Sequence, residues 1–452
     1  MRTLHFVGIG GIGMSAIARI LLARGERVTG SDTNDSPLLK ELRAAGATIS
    51  IGHDAGNVNG ATTVVVSSAI DRENPEYRCA LERGIPIMGR GQMLAQIMEG
   101  RRGIAICGTH GKTTTTAMTA AVLRGAKVDA SLVLGGIDGL LGTNAHDGTA
   151  PWFLTEADES DGSFTLLDPA IAVVTNIEND HLTSDAEIPK LVAAFEEFLA
   201  KAPADGAAIV GVDNPLTRSL AQGARRARTI TFGIAADAGV HASNIRFEQA
   251  RSTFELFADG ARLGTVELHV PGAMNVENAL AAAAVGWALD IPFATVAESL
   301  SAFRGVRRRF DVLARSPRMI VVDDYAHHPT AVRETIAAAR RYHNGPVVAA
   351  FQPHRYTRTS YLAGAFAEAL ADADRVYLTP IYGAGEKPID GVSERLIGEP
   401  LQAAGVPTSY VKYVHDLRAV LQREAPANAI VLMLGAGNIT KAAAELARDI
   451  SA

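Results

Sequence analysis

A glycine-rich segment at residues 108–114 (GTHGKTT) constrains the fold more than any other part of the sequence. It follows the apolar run 104–107, which predicts a buried strand, and it precedes a predicted helix at 114–123. Backbone N–H groups of such a loop can cradle phosphates, Lys112 can neutralise them, and the Thr113 hydroxyl can bind Mg²⁺. Ile106 stands where an ordinary P-loop has its first glycine. The segment therefore predicts ATP binding within an α/β domain, outside the ordinary P-loop pattern.

A second glycine cluster lies at the start of the chain. Residues 8–13 (GIGGIG) follow the predicted strand 4–7 and precede a predicted helix at 14–23, and Asp32 ends the next strand. This spacing allows a tight turn and a close approach of the backbone to a pyrophosphate at a helix N-terminus. The pattern does not distinguish a dinucleotide from a nucleotide sugar, and a tight turn without a ligand would use the same glycines.

The distribution of strand and helix signals predicts an α/β protein of three domains. Its 452 residues are enough for two to four domains. We expect a Rossmann-like domain at 1–98, a central P-loop-type α/β ATPase domain at 99–304, and a second Rossmann-like α/β domain at 305–452. Alternating polar and apolar residues near 241–270 predict antiparallel hairpins late in the central domain.

Composition argues for an enzyme that acts on small molecules. Charged residues make up 20% of the chain and the formal net charge is -6, which argues against a nucleic-acid partner or a polybasic membrane anchor. No apolar run reaches the length of a membrane span, and the N-terminus lacks the shape of a signal peptide. With only Cys79 and Cys107, the chain is expected to lack a disulfide framework and to work in the cytoplasm.

Polar residues follow two further predicted strands of the central domain. Glu156 comes after the strand 152–155, and His181 comes after the strand 171–175. Ligands of an open parallel sheet bind beyond the carboxyl ends of its strands. These loops should therefore converge on one crevice with the glycine-rich segment 108–114, which we call the phosphate loop. Oxygen ligands beside phosphate groups suit Mg²⁺, and Glu156 and His181 are the best candidates to bind it.

The sequence resembles the Mur ligase family over nearly its whole length. The resemblance rests on seven segments, 8–15 (GIGGIGMS), 108–116 (GTHGKTTTT), 156–164 (EADESDGSF), 308–310 (RRF), 323–330 (DDYAHHPT), 351–359 (FQPHRYTRT) and 383–386 (GAGE). The paired histidines and the segment 351–359 indicate the branch that adds L-alanine. The resemblance implies ATP and Mg²⁺ as cofactors and UDP-N-acetylmuramate and L-alanine as partners. The implied reaction joins the lactyl carboxylate to the amine through an acyl phosphate, in peptidoglycan synthesis, by a monomer or weak homodimer.

The resemblance also implies roles for individual residues. The implied catalytic residues are Lys112, Glu156, His181, Arg309 and Asp324. The implied ATP contacts are Gly108, Thr109, His110, Gly111, Lys112, Thr113, Thr114, Asn275, Asn278, Arg309 and Asp324. The implied metal ligands are Thr113, Glu156 and His181. The implied contacts to the UDP-sugar are Gly10, Gly11, Ile12, Asp32, Ser67, Arg355 and Arg358, and those to the amino acid are His327 and His328.

Three positions depart from the usual family pattern. Met274 replaces a histidine expected to pack on the adenine, Thr183 replaces a carboxylate near the metals, and Asn438 replaces a late aspartate. A flexible thioether can still pack against a ring face, so use of ATP is expected to survive.

Other functions remain open at this stage. A ligase of the same build that adds a preformed peptide would share these motifs. A dehydrogenase would explain the first glycine cluster and leave the segment 108–116 without a role. A non-catalytic regulatory relative is the third alternative, because of the three departures.

Overall fold

The computed structural model describes residues 2–159, 162–179, 185–223 and 227–451. Its strands form three separate sheets of five, ten and six strands. The predicted three-domain α/β architecture is confirmed. Within the described residues, none of the helices is long and apolar enough to span a membrane.

The N-terminal sheet is fully parallel, with the strand order β3-β2-β1-β4-β5. Its strands are β1 (Thr3–Val7), β2 (Arg27–Asp32), β3 (Thr48–Ile51), β4 (Thr63–Val66) and β5 (Ile87–Gly89). The accompanying helices are α1 (Ile12–Ala23), α2 (Pro37–Ala44), α3 (Pro75–Glu82) and α4 (Arg90–Met98). The first glycine cluster forms the turn between β1 and α1, as the sequence predicts.

The central sheet combines a parallel part with an antiparallel edge, in the order β15-β14-β13-β12-β11-β10-β6-β9-β7-β8. Its parallel strands are β6 (Arg102–Cys107), β7 (Ser131–Val133), β9 (Trp152–Glu156), β10 (Pro169–Val174), β11 (Ala207–Gly211) and β12 (Arg228–Gly233). The short strand β8 (Ala145–His146) pairs antiparallel to β7. The predicted hairpins are β13 (Val240–Glu248), β14 (Arg251–Ala258) and β15 (Ala261–Leu268), which pair antiparallel.

The central helices are α5 (Lys112–Gly125), α6 (Ile188–Ala200), α7 (Pro215–Gly223), α8 (Ala273–Ala288) and α9 (Phe293–Ala302). Alanines line much of α8, and residues 279–285 are all buried. Small side chains allow α5 and α9 to pack closely, and a Cβ at Gly125 would lie 2.0 Å from Ser299 Oγ. This packing holds the C-terminal end of α5 against α9.

The C-terminal sheet has the order β16-β17-β21-β18-β19-β20. Its strands are β16 (Asp311–Arg315), β17 (Met319–Asp324), β18 (Val347–Phe351), β19 (Arg375–Leu378), β20 (Thr408–Tyr410) and β21 (Ala429–Leu434). Its helices are α10 (Pro329–Tyr342), α11 (Tyr356–Leu370), α12 (Arg395–Ala403), α13 (Leu417–Glu424) and α14 (Ile439–Ser451). β16 is antiparallel to β17, and the other pairs are parallel.

A buried carboxylate ties β1, β2 and α3 together in the N-terminal domain. Glu76 is fully buried and accepts hydrogen bonds from Ser31 Oγ at 2.6 Å and Asn57 Nδ2 at 2.6 Å, and His5 Nε2 lies 3.2 Å away. Burial alone would raise the pKa of Glu76, but hydrogen bonds from His5, Asn57 and Ser31 lower it to about 2. The ionised carboxylate therefore stabilises the fold.

We expect Glu76→Gln to lower the free energy of unfolding at pH 7 by about 3 kcal/mol. Because the folded-state pKa is depressed, this stabilisation is present above pH 4.5 and is lost as the pH falls towards 2. Urea denaturation at pH 7 and pH 3 measures the difference, with the exposed Glu82→Gln on the same helix as the control. An equal loss at both pH values would contradict the role of the charge.

Candidate active site

A cavity of about 630 Å³ lies where the three domains meet. The N-terminal domain contributes Ile12 and Arg90, and the C-terminal domain contributes Arg309. The central domain supplies the phosphate loop and the residues that follow β9 and β10. The phosphate loop and the loops after β9 and β10 therefore converge on one cavity, as predicted, in so far as the structure describes their residues.

Two glycines shape the phosphate loop. Gly108 has φ +130° and Gly111 has φ +82°, which are backbone conformations that favour glycine. A Cβ at Gly108 would lie 2.1 Å from Thr175 Oγ1, and one at Gly111 would lie 2.3 Å from Asn278 Oδ1. The loop can therefore pass between β10 and α8 only with glycine at both positions. It ends at Lys112, where α5 begins and its N-terminal N–H groups face the cavity.

Asn176, directly after β10, holds the loop from the other side. Its carbonyl oxygen accepts from the N–H of Thr109 at 3.0 Å, and its Oδ1 accepts from the N–H of His110 at 2.8 Å. Its amide nitrogen donates to the carbonyl of His110 at 3.2 Å. The loop conformation is thereby set before a ligand binds.

Lys112 lies in a ring of oxygen atoms. Its ammonium group donates to the carbonyls of Gly108 at 2.5 Å and Thr109 at 3.3 Å, and it lies 2.9 Å from the Glu159 carboxylate. Burial opposes the charge of Lys112, but Glu159 raises the pKa of the ammonium group above its usual value. Lys112 is therefore a permanent cation at the base of the loop.

Thr113 and Glu156 lie beside Lys112 at the end of β9. The Thr113 hydroxyl donates to Glu156 at 3.0 Å and accepts from the Arg309 guanidinium at 3.2 Å. The N–H of Gly135 donates to the other Glu156 oxygen at 2.5 Å. Burial raises the pKa of Glu156, and the hydrogen bond from the Gly135 N–H and the charge of Arg309 oppose this rise. A hydroxyl and a buried carboxylate at this distance form a donor set that fits a hard divalent cation.

Asp324 ends β17 and faces the same cavity. Its carboxylate accepts from the N–H groups of Phe310 at 2.7 Å and Ala326 at 2.8 Å. Burial raises the pKa of Asp324 to about 6, against the attraction of Arg309. The side chain is thus rigidly held, and it fixes the turn that carries Arg309.

Asn275 and Asn278 lie one turn apart at the start of α8 and line the cavity together with Met274. Asn278 Nδ2 donates to Asn275 Oδ1 at 3.1 Å, and Asn275 Nδ2 donates to the carbonyl of Pro271 at 2.7 Å. The Thr115 hydroxyl donates to Asn278 Oδ1 at 3.1 Å. These amides connect α8 to α5 beside the loop.

A polar cluster joins the loop to the C-terminal domain. His110 Nε2 lies 3.2 Å from Glu178 Oε2, and the Thr330 hydroxyl donates to the same oxygen at 2.7 Å. His328 Nδ1 lies 3.7 Å from that oxygen. The ligand atoms of His110, Glu178 and His328 all lie within 4.8 Å of one another, so this set could hold a metal ion.

Three family models together match most of the chain. Residues 3–102 match the Mur ligase family, catalytic domain; residues 106–286 match the Mur ligase middle domain; and residues 308–437 match the Mur ligase, glutamate ligase domain. The chain belongs to the Mur ligase family. The resemblance that the sequence motifs indicate is therefore confirmed. The enzymes of this family are ATP-dependent.

Similar Mur ligases include two named UDP-N-acetylmuramate–L-alanine ligase. That of Syntrophotalea carbinolica is 44% identical over 442 residues, 97% of this chain and 96% of the relative. That of Geobacter sp. (strain M21) is 43% identical over 438 residues, 96% and 95% of the two chains. The crystal structure of UDP-N-acetylmuramate–alanine ligase from Thermotoga maritima superposes with a TM-score of 0.86 and 30% sequence identity. The match covers 100% of this chain and 99% of that one. A murein peptide ligase from Psychrobacter arcticus shares the fold, with a TM-score of 0.76 and 24% sequence identity. The match covers 100% of this chain and 99% of that one.

The structure of this Mur ligase brings most of the predicted ATP-site residues together. The predicted residues that line the cavity are Ile12, Thr109, His110, Gly111, Lys112, Thr113, Thr114, Glu156, Asn275, Asn278, Arg309, Asp324, His327 and His328. The third predicted metal ligand, His181, lies outside the described residues, as does Thr183.

The other predicted contacts to the UDP-sugar do not line this cavity, within the part of the chain that the structure describes. Gly10 donates its N–H to Asp32 Oδ2 at 2.9 Å, so the glycine turn and β2 are joined. Arg355 is exposed, and Arg358 is buried with a nitrogen 3.4 Å from His354 Nδ1. The remaining members of this set are Gly11, beside α1, and Ser67, which follows β4. Their role stays a prediction.

Besides Asn176 and Gly135, sequence reasoning missed three further residues of the site. Glu159 pairs with Lys112, Glu178 binds His110, and Thr330 reaches Glu178 from α10. All three lie inside or beside the recognised motifs, so their positions in the sequence were the available signal. Which carboxylate faces which cation depends on how loops and domains pack in space, and the spacing of motifs does not contain that information.

Proposed function

We propose that this Mur ligase joins L-alanine to UDP-N-acetylmuramate at the expense of ATP, in the synthesis of peptidoglycan precursors. The single observation that carries the proposal is the meeting of Lys112, Thr113, Glu156 and Arg309 at one end of the cavity. The relatives named for the same reaction span almost the whole chain, including every domain that contributes to that cavity. The regions 1–98, 99–304 and 305–452 would bind the UDP-sugar, ATP and the amino acid, respectively.

The residues fit Mg²⁺ and a nucleoside triphosphate. Thr113 and Glu156 offer two oxygen donors 3.0 Å apart, and the partly buried Glu156 carboxylate lines the cavity. Mg²⁺ bound there would supply positive charge to the phosphate oxygens. The phosphate loop offers backbone N–H groups at the start of α5, and Lys112 would exchange a carbonyl partner for a phosphate oxygen.

The chemistry proceeds in two steps. A lactyl carboxylate oxygen attacks the γ-phosphorus, the bond to the bridging oxygen breaks, and ADP leaves with an acyl phosphate formed. The amine then attacks the acyl carbon and loses a proton, and inorganic phosphate leaves with its electron pair. Because the first step brings an anionic carboxylate to an anionic triphosphate and the second releases anionic phosphate, this site serves mainly to neutralise the phosphates and to orient the reactants. Lys112 and Arg309 would act on the phosphates, and Thr113 and Glu156 would hold the Mg²⁺ ion beside them.

The remaining assignments concern the surroundings of the reaction. His327 and His328 would border the amine, and Arg355 and Arg358 would contact the nucleotide sugar after a rearrangement of the C-terminal domain. His181 would bind a second Mg²⁺. Two cysteines that form no disulfide with each other suit a reducing cytoplasm, where the enzyme would act as a monomer or weak homodimer.

Dependence on the amine tests this proposal. Purified protein should release phosphate from ATP only when UDP-N-acetylmuramate and L-alanine are both present, because the carboxylate is needed to form the acyl phosphate and the amine is needed to displace phosphate from it. Glycine, L-serine and a tripeptide are compared at equal concentration in a phosphate-release assay. Turnover with the tripeptide and none with L-alanine would establish a peptide-adding ligase instead.

A further inference from the structure

Glu178, which follows β10, contacts two successive residues of the phosphate loop. Its N–H donates to Thr109 Oγ1 at 2.8 Å, and the same hydroxyl lies 3.3 Å from the Glu178 carbonyl oxygen. Its side-chain Oε2 lies 3.2 Å from His110 Nε2. Glu178 therefore holds the loop through both its backbone and its carboxylate.

The same carboxylate contacts the C-terminal domain at the first turn of α10. The Thr330 hydroxyl donates to Glu178 Oε2 at 2.7 Å. His328, the buried residue before α10, places Nδ1 3.7 Å from that oxygen and packs its ring 4.9 Å from the ring of His110. One oxygen atom thus lies between the phosphate loop of one domain and a helix of another.

The charge state of Glu178 suits this role. Burial alone would raise its pKa, but the hydrogen bond from His110 and the one from Thr330 lower it to about 2. An ionised acceptor makes the Thr330 hydrogen bond stronger than a bond between neutral groups. Because two donors already use Oε2, we interpret the cluster as a contact between domains rather than as a metal centre.

We propose that Glu178 is a positioning residue that couples docking of α10 onto the phosphate loop to binding of the amine. The inference rests on the proposed function, in which His327, next to His328, borders the amine. The acyl phosphate forms at the γ-phosphate held by the loop, and the amine held by the C-terminal domain must then reach its acyl carbon, so the loop and that domain must lie a fixed distance apart. The Thr330–Glu178 hydrogen bond sets that distance.

Thr330→Val tests the contact by removing the hydroxyl while keeping the shape of the side chain, and Thr330→Ser retains the hydroxyl as the matched control. We expect Thr330→Val to raise KM for L-alanine about tenfold, because a hydrogen bond to a charged acceptor is lost. The Kd for ATP alone should change less than about threefold, since the loop keeps its contacts with Asn176. Thr330→Ser should match the wild type. An unchanged KM for L-alanine in Thr330→Val would overturn the proposal.

A double-mutant cycle identifies the partner. In a Glu178→Gln background, Thr330→Val should add little further loss, because the charged acceptor is already absent. Independent, multiplying effects of the two substitutions would show that Thr330 acts through another group and would contradict the proposal. Thermal unfolding of each variant separates a loss of docking from a loss of fold.

Small-angle scattering separates this inference from the proposed function. With a non-hydrolysable ATP analogue and UDP-N-acetylmuramate, the wild type and Thr330→Ser should become more compact, and Thr330→Val should remain more extended. Equal compaction of all three proteins would overturn the role of Glu178 in docking. Absence of turnover with L-alanine in the wild type would instead refute the proposed function, and the scattering comparison would still decide the docking contact.

Discussion

Replacing Lys112 with methionine is expected to lower kcat at least about a thousandfold. Lys112 lies at the base of the phosphate loop, where a γ-phosphate would gain most from a fixed positive charge. Methionine keeps much of the length and apolar volume of the lysine stem, so packing around α5 should persist. The measurement is steady-state phosphate release at saturating ATP, UDP-N-acetylmuramate and L-alanine.

The fold of this variant can survive because of Glu159. Removing one partner of a buried ion pair usually leaves an uncompensated charge at a high cost in stability. Burial already raises the pKa of Glu159, so its carboxyl group can take up a proton when Lys112 is gone. Lys190→Ala, at an exposed position on α6, is the matched control and should leave kcat unchanged. Activity of Lys112→Met within tenfold of the wild type would refute our assignment of the phosphate loop.

Glu156→Gln should lower kcat about a hundredfold and raise the Mg²⁺ concentration needed for half-maximal activity. The change removes a charged oxygen donor at nearly constant volume. It also places an amide nitrogen against either the Gly135 N–H or the Thr113 hydroxyl, because Glu156 accepts from both in the native structure. Titration of activity with Mg²⁺ at fixed ATP measures both effects.

Excess Mg²⁺ should restore part of the lost activity, since the remaining oxygen and Thr113 still offer a weak site. Glu298→Gln, at an exposed position on α9, should behave like the wild type throughout the titration. An unaltered Mg²⁺ dependence in Glu156→Gln would show that Glu156 only supports the loop around Gly135.

Local patterns in the sequence were sufficient for the elements that carry the site. The strand before Gly108, the helix after it and the hairpins of β13–β15 all follow from periodicity and glycine placement, because those signals arise within a few residues. The end of β9 at Glu156 follows in the same way. These elements predict an α/β protein and the candidate cations and carboxylates near its strand ends.

Pairing between residues far apart in the chain depends on more than local patterns. The loop at 156–164 contains several acidic residues, and nothing in their spacing singles out Glu159 as the partner of Lys112. Thr330 lies 152 residues from Glu178, and their hydrogen bond depends on how α10 docks beside β10. The first contact depends on the packing of loops within one domain and the second on the placement of two domains, and short-range propensity encodes neither.

The sequence by itself determined that a glycine-rich loop joins β6 to α5, and it predicted phosphate binding there from Gly108, Gly111 and Lys112. Only the tertiary structure decided which groups face the loop. It showed that Lys112 is held by Glu159, that Thr113 connects Glu156 to Arg309, and that Glu178 reaches α10. The physical reason is range: backbone conformation is set by neighbours in the chain, whereas charge pairing is set by neighbours in space.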